Sequence, residues 1–250
     1  MPTLDNKLSE ARKILVVGNP GSGKTGALAS LAKAGYNLHI ADFEAGLDPL
    51  AVQLADDPEA LARVRYKTYV DSRKASGYVV AKAAAQFAKD LEQESEIGPV
   101  FEFGLNDVLV LDSLTSFAEA VRYEVLKLVG RTKPQIQDWG EMVQRVDGTI
   151  ALLCSDIVPC HVIVMAHLTA DNDPEGGVLH YYPRAATTNQ AKDIGRRFNT
   201  IVRMHKTGAG EKTRRVILTR PQTRVDVKCP WPLPAEIPIS QGYLPLIKGE

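Results

Sequence analysis

The chain has 250 residues, 44% hydrophobic and 24% charged, with 30 basic and 30 acidic side chains and a formal net charge of zero. That length suits one large α/β domain or two small ones, and zero net charge excludes a polyanion binder that works through its whole-molecule field, so a nucleic-acid contact needs a local patch. No apolar run is long enough for a membrane span, residues 1–13 hold no secretory apolar stretch, and Cys154, Cys160 and Cys229 form no Cys-x-x-Cys pair; a cytoplasmic protein with idle thiols is expected.

After a polar lead-in (1–12), Lys13–Val17 predicts a strand. Gly18-Asn19-Pro20-Gly21-Ser22-Gly23-Lys24-Thr25 then reads G-x-x-x-x-G-K-T, and residues 26–34 read as helix with Gly35 as its C′ residue. Strand, glycine-rich loop and helix in that order are the context of a phosphate-binding loop. Glycines let successive backbone N–H groups turn inward around phosphate oxygens. The helix N-terminus adds its dipole, Lys24 reaches the β- and γ-phosphates, and the Thr25 hydroxyl holds Mg²⁺. The candidate nucleotide-binding set is Gly18, Asn19, Pro20, Gly21, Ser22, Gly23, Lys24, Thr25 and Gly26.

Residues 36–42 predict a strand that ends on Asp42, with Glu44 just beyond it; in open α/β sheets ligands bind past strand ends. Residues 49–63 read as helix, 65–70 as a strand, and 78–93 as an Ala-rich helix whose lysines form a solvated face. Val108-Leu109-Val110-Leu111 is a continuous apolar run, the mark of a strand buried on both faces. Asp112 at its carboxyl end is placed to orient Mg²⁺. Helix follows over 116–129, a break at 131–134, then helix over 136–153, interrupted or bent near Gly140 and Gly148.

A third buried strand, 160–166, ends at His167, which fits a γ-phosphate sensor or a satisfied core histidine. Residues 168–192 fit a mobile substrate loop or an ordinary surface hairpin; Tyr181 and Tyr182 beside Arg184 suit base stacking. A short basic helix is expected over 192–198. Ribbons at 200–205, 214–218 and 224–228, with a turn at 208–210, gather Arg214, Arg215, Arg220, Arg224 and Lys228. These form an exposed basic edge or supply a cation that completes a neighbour's nucleotide site. The tail, 229–250, has prolines at 230, 232, 234, 238 and 245 and is expected to be an extended strap.

Three segments resemble one family. Asp42-Phe43-Glu44-Ala45-Gly46-Leu47-Asp48-Pro49 resembles the stretch of the bacterial recombinase RecA around its catalytic glutamate. Val110-Leu111-Asp112-Ser113 resembles that family's Walker B segment, and Ala166-His167-Leu168-Thr169 is similar to a segment of the related RadA proteins. The trimmed core most resembles the short RecA-like ATPases of bacteriophages, some of which anneal single strands. The resemblance implies one RecA-like P-loop domain over 1–250 with its core at 13–228. That fold is α/β, with a mostly parallel central sheet flanked by helices and C-terminal antiparallel ribbons. It implies ATP and Mg²⁺, with Lys24, Glu44 and His167 catalytic, Glu44 polarising the attacking water, and Thr25 and Asp112 at the metal.

It further implies a homo-oligomeric ring or filament acting in recombination or single-strand annealing. Single-stranded DNA would bind near 130–137 and 170–190, and a single-strand-binding or replication protein is a further expected partner. Lys228-Cys229-Pro230 departs from the K-x-R finger of RadA-like proteins. The alternative is a nucleotide-switched assembly or signalling ATPase whose target is a protein. A small-molecule kinase fits less well, because no arginine-rich lid segment accompanies Glu44 and Asp112.

Overall fold

Three apolar runs without polar alternation, Lys13–Val17, Asp107–Asp112 and His161–Ala166, lie side by side in the middle of one sheet. The structure, a computed structural model, describes residues 10–73, 79–172, 179–208, 210, 213–221 and 224–250. In chain order the elements are β1 (Lys13–Val17), a 3₁₀ turn (Gly26–Leu28) leading into α1 (Ala29–Lys33), β2 (Asn37–Asp42), α2 (Asp48–Leu54), α3 (Pro58–Ala62) and β3 (Val64–Thr68). Next come β4 (Ser72–Arg73), β5 (Val79–Val80), α4 (Ala83–Glu92), β6 (Asp107–Asp112), α5 (Leu114–Leu128), α6 (Ile136–Leu153) and β7 (His161–Ala166). The chain continues through β8 (Leu168–Asn172), β9 (Leu179–Pro183), α7 (Thr188–Asp193), β10 (Thr200–Thr207), β11 (Arg214–Leu218), β12 (Glu236–Pro238) and α8 (Leu244–Lys248).

Among the described residues the main sheet has eight strands in the order β12-β11-β10-β1-β7-β6-β2-β3. Every pair from β10 to β3 is parallel, and β11 and β12 add antiparallel to the β10 edge. This is the mostly parallel α/β sheet flanked by helices that the sequence led one to expect, antiparallel C-terminal strands included. Alternate residues of each central strand feed two cores. Ile14, Val16, Val108, Val110, Ile163 and Met165 pack with α1 and α2, whereas Leu15, Val17, Leu109, Leu111, Val162 and Val164 pack with α4, α5 and α6. Both faces are covered, so neither face of these strands needs polar residues. Each fully buried Leu, Ile or Val contributes roughly 1.5–3 kcal/mol relative to exposure.

Several elements differ from the reading of the sequence. The helix expected over 49–63 is two helices, because Asp57 caps a new one by accepting from Ala60 N at 3.0 Å and Pro58 occupies its first turn. Helix α6 runs unbroken through Gly140 and Gly148, where an added Cβ would meet open space. Residues 168–172 and 179–183 pair as antiparallel strands, β8 and β9. The expected strand at 224–228 is reduced to two isolated bridges, Tyr181 to Val225 and Ile201 to Lys228. The expected basic helix lies earlier, as α7 followed by a 3₁₀ turn over Ile194–Arg197. Residues 1–9 of the lead-in, Tyr78, residues 173–178 of the expected substrate loop and Ala209 lie outside the described residues.

The tail departs most. Instead of an extended strap, it adds β12 to the sheet edge and then turns under α1 as α8, with Tyr243 and Leu246 fully buried. Gly242 makes this approach possible: its φ is +54°, and a Cβ there would sit 2.4 Å from the Ala27 carbonyl oxygen.

Candidate active site

The register of the parallel strands brings their carboxyl ends level, Asp42 opposite Asp112, Asp112 opposite Met165, and Val17 opposite Ala166. The four segments singled out in the sequence, around Gly18, Glu44, Asp112 and His167, therefore converge on one end of the sheet, the expected place for a ligand. A cleft of about 900 Å³ opens there, floored by residues 20–27 with Glu44, Asp112 and His167. One wall is α2, through Pro49, Val52 and Gln53; the other is Ile239, Ser240 and Arg215.

The loop is shaped by its glycines and by its neighbours. Gly23 has φ of +99°, a conformation that favours glycine, and a Cβ on it would lie 2.5 Å from Ile239 Cδ1, so that side chain would have to shift. Lys24 is buried and its Nζ donates to the carbonyls of Gly18 at 2.8 Å and Asn19 at 3.3 Å. From below, the Tyr243 hydroxyl donates to the Lys24 carbonyl at 2.8 Å, and Tyr243 N donates to Ser30 Oγ at 2.9 Å.

Thr25 Oγ1 donates to Asp112 Oδ2 at 2.7 Å. Burial pushes the Asp112 carboxyl up to about 6, with the Thr25 hydrogen bond opposing that shift. These are hard oxygen donors of the kind Mg²⁺ takes. Among the described residues no group of three or more His, Cys, Asp or Glu could hold a metal.

Glu44 is presented by a turn that Asp42 builds: Asp42 Oδ1 accepts from the backbone N–H of Glu44 at 3.0 Å and of Gly46 at 3.4 Å. Glu44 Oε1 lies 2.8 Å from His167 Nε2 and 3.2 Å from the donating Ser116 Oγ, and it also accepts from Ser113 Oγ. The hydrogen bond from His167 is the main reason the Glu44 carboxyl is held down at about 2; burial opposes it. With its proton on Nε2, His167 donates to Glu44, and its Nδ1, 3.4 Å from Lys24 Nζ, accepts from the lysine. Burial lowers the Lys24 pKa, and the charges of Asp112 and Glu44 counter that. Glu44 Oε2 has no partner among the described residues.

His167 also anchors the hairpin. Its N–H donates to Thr115 Oγ1 at 3.1 Å, its carbonyl accepts from Arg184 N at 2.7 Å, and Thr115 Oγ1 donates to the Arg184 carbonyl at 3.2 Å. Glu44 and His167 thus divide the nucleotide-sized cleft from a second one of about 760 Å³ on their far side, lined by Arg122, Trp139 and Arg184.

The structure brings all the sequence-selected site residues together and adds others. Ser113 was legible only as the last residue of the Walker B-like segment and Ser116 only as the start of a helix, yet both donate to Glu44. Tyr243, Ile239 and Ser240 carried no signal, because nothing local in a proline-rich tail marks a contact across the fold. The basic residues of the ribbon separate. Arg220 donates to the carbonyls of Cys229 and Trp231, Lys228 to that of Phe198, and Arg214 pairs with Glu236 at 3.5 Å. Arg215 alone of the five lines the nucleotide-sized cleft. The cysteines are free, and burial pushes the Cys154 and Cys160 thiols up to about 12 and about 11. No helix among the described residues is long and apolar enough to cross a membrane.

Comparison with solved structures finds similarity to the flagellar accessory protein FlaH of Methanocaldococcus jannaschii, with 12% identity, 86% of this chain and 82% of that chain covered, and a TM-score of 0.44. A KaiC-like protein of Pyrococcus horikoshii has 12% identity, 88% and 83% coverage, and a TM-score of 0.44. An ATPase of the type III secretion system of pathogenic bacteria has 15% identity, 78% and 52% coverage, and a TM-score of 0.48. No match is found among curated proteins. The AAA_24 family, described as AAA domain, matches residues 10–231, which span β1 through the ribbon and every sequence-selected site residue. The chain belongs to this family of AAA domains.

Proposed function

We propose that the protein hydrolyses ATP at the end of its parallel sheet and uses the nucleotide state to set the hairpin that begins at His167. The observation that carries this reading is the contact chain Lys24–His167–Glu44 beside the Thr25–Asp112 pair. Backbone N–H groups of Gly21–Thr25 and the Lys24 ammonium bind the phosphates. Thr25 and Asp112 hold Mg²⁺, which when bound neutralises charge on the phosphate oxygens. Glu44 stays ionised with Oε2 free, so it orients and polarises a water more than it takes up a proton. A loose phosphoryl-transfer transition state asks for little more.

The three Lys24 protons are directed at the carbonyls of Gly18 and Asn19 and at His167 Nδ1, so a γ-phosphate taken by this ammonium displaces one of the three. In this reading it displaces His167, the longest of the contacts, whose backbone holds Arg184 and the root of the hairpin. In this reading the hairpin's tyrosines and Arg184 meet single-stranded DNA, and subunits assemble into a ring or filament.

The test is ATP hydrolysis with and without single-stranded DNA for wild type, Lys24→Ala and Glu44→Gln. Wild type should turn over faster with DNA. Lys24→Ala should lose nucleotide binding. Glu44→Gln should bind nucleotide and turn over about 10²–10⁴-fold more slowly. Absence of hydrolysis in wild type defeats the proposal; hydrolysis indifferent to DNA, with no salt-sensitive DNA binding, removes the DNA target and leaves a protein as target.

A further inference from the structure

We infer that Arg215 is a nucleotide-binding residue that serves the phosphate loop of its own subunit, not a finger lent to a neighbour. The inference rests on the ATP reading of the cleft.

Arg215 lies on β11, opposite Lys206 of β10. Its Nε donates to the Gly21 carbonyl at 3.2 Å, and its Cδ lies 3.3 Å from the position of a Cβ on Gly23. The side chain thus lies along the outer rim of the phosphate loop, in the same cleft wall as Ile239 and Ser240. The guanidinium has five donors in a fixed plane. One is used by Gly21, which sets the orientation of that plane. The Nη1 and Nη2 groups find no acceptor among the described residues.

A delocalised cation held by one edge on the loop, with its other donors open to the cleft, is suited to paired contacts with phosphate oxygens. The loop also leaves room for it: Gly23 has no side chain between the arginine and Lys24, and any Cβ there would crowd both Arg215 and Ile239. The other basic candidates on the ribbon are excluded by their positions. Arg220 and Lys228 are committed to backbone carbonyls, Arg214 pairs with Glu236, and Arg224 sits where its carbonyl accepts from Tyr181 N, outside the cleft.

Two measurements test the assignment. The first is the affinity for a fluorescent ADP and a fluorescent non-hydrolysable ATP analogue. Arg215→Ala should weaken both by about tenfold or more, the effect of losing a charged hydrogen bond. Arg215→Lys should recover part of this, and Arg214→Ala should stay within about twofold of wild type. An unchanged melting temperature of nucleotide-free Arg215→Ala separates lost contact from lost folding, and Arg215→Gln replaces it if alanine fails to fold.

The second is a mixing experiment. Arg215→Ala subunits keep Lys24, and Lys24→Ala subunits keep Arg215. At nucleotide concentrations that saturate wild type but not Arg215→Ala, an arginine acting across a boundary makes the mixture hydrolyse faster than the sum of the two variants alone; an arginine acting within its own subunit leaves only that sum. Wild-type affinity in Arg215→Ala, or recovery on mixing, overturns the inference while the ATP reading stands. Failure of wild type to bind either nucleotide overturns both.

Discussion

At the scale of single residues, the same burial that tunes the site also creates a liability far from it. His161 opens β7 with its Nδ1 accepting from Arg12 N at 2.9 Å, and burial, with the nearby Arg12 charge, pushes it down to about 4 from 6.5. The unfolded chain takes up this proton near pH 6.5, while the folded chain holds out to about 4. Stability from this group is therefore complete above pH 6.5 and falls as pH drops toward 4. Between pH 7.5 and 4.5 the contribution lost is about 2–3 kcal/mol. Urea unfolding at the two pH values should show His161→Asn losing less stability than wild type by that amount; equal losses would mean the ring does not carry the effect. At the cleft, the placement of side chains was legible where a residue closes or closely follows a strand: Asp112 ends β6, Glu44 and His167 lie within two positions of β2 and β7, and Lys24 and Thr25 follow β1 across the glycine-rich loop. What could not be read was the hydrogen bonding among them. Ser113 to Glu44 spans 69 positions and Arg215 to Gly21 spans 194, and no local pattern encodes such distances.

At the scale of elements, glycine and proline were weaker guides than the packing around them. Gly140 and Gly148 suggested breaks, yet α6 continues, because its apolar face of Met142, Val146, Ile150 and Leu153 is fully buried and holds the helix together. Both glycines face open space without positive φ. Gly140→Ala and Gly148→Ala should each raise stability by about 0.5–1 kcal/mol, read as a higher urea midpoint at constant m. A drop in either midpoint would show that the helix needs the freedom. The opposite lesson comes from the tail, whose prolines at 238 and 245 hid a strand and a helix. Proline sits comfortably at the end of β12, an edge strand, and in the first turn of α8. Tyr243→Phe removes only the hydroxyl that meets the Lys24 carbonyl. It should cost about 1 kcal/mol and weaken nucleotide binding several-fold, whereas Tyr243→Ala should cost about 3–5 kcal/mol. Thermal unfolding and nucleotide titration of the pair would separate the bond from the ring, and unchanged affinity in Tyr243→Phe would make the contact purely structural.

At the scale of the whole molecule, the continuous apolar strands made the parallel sheet readable, since only a sheet covered on both faces needs them. The covering layers were less readable, because one is closed by a segment from the far end of the sequence. Saturating nucleotide at a hundred times its dissociation constant should stabilise the protein by about 2.7 kcal/mol, seen as a concentration-dependent rise in melting temperature. A version ending at residue 235 should show no such rise, and an equal rise would mean the loop stands without the tail. That arrangement has a consequence for synthesis. Tyr243 props the Lys24 carbonyl from 219 positions later, so the ribosome makes the phosphate loop well before its support. A nascent chain paused anywhere before that tyrosine carries the whole nucleotide motif without its foundation. In the proposed reading, synthesis itself thus holds back nucleotide binding until Tyr243 has emerged and the loop is underpinned.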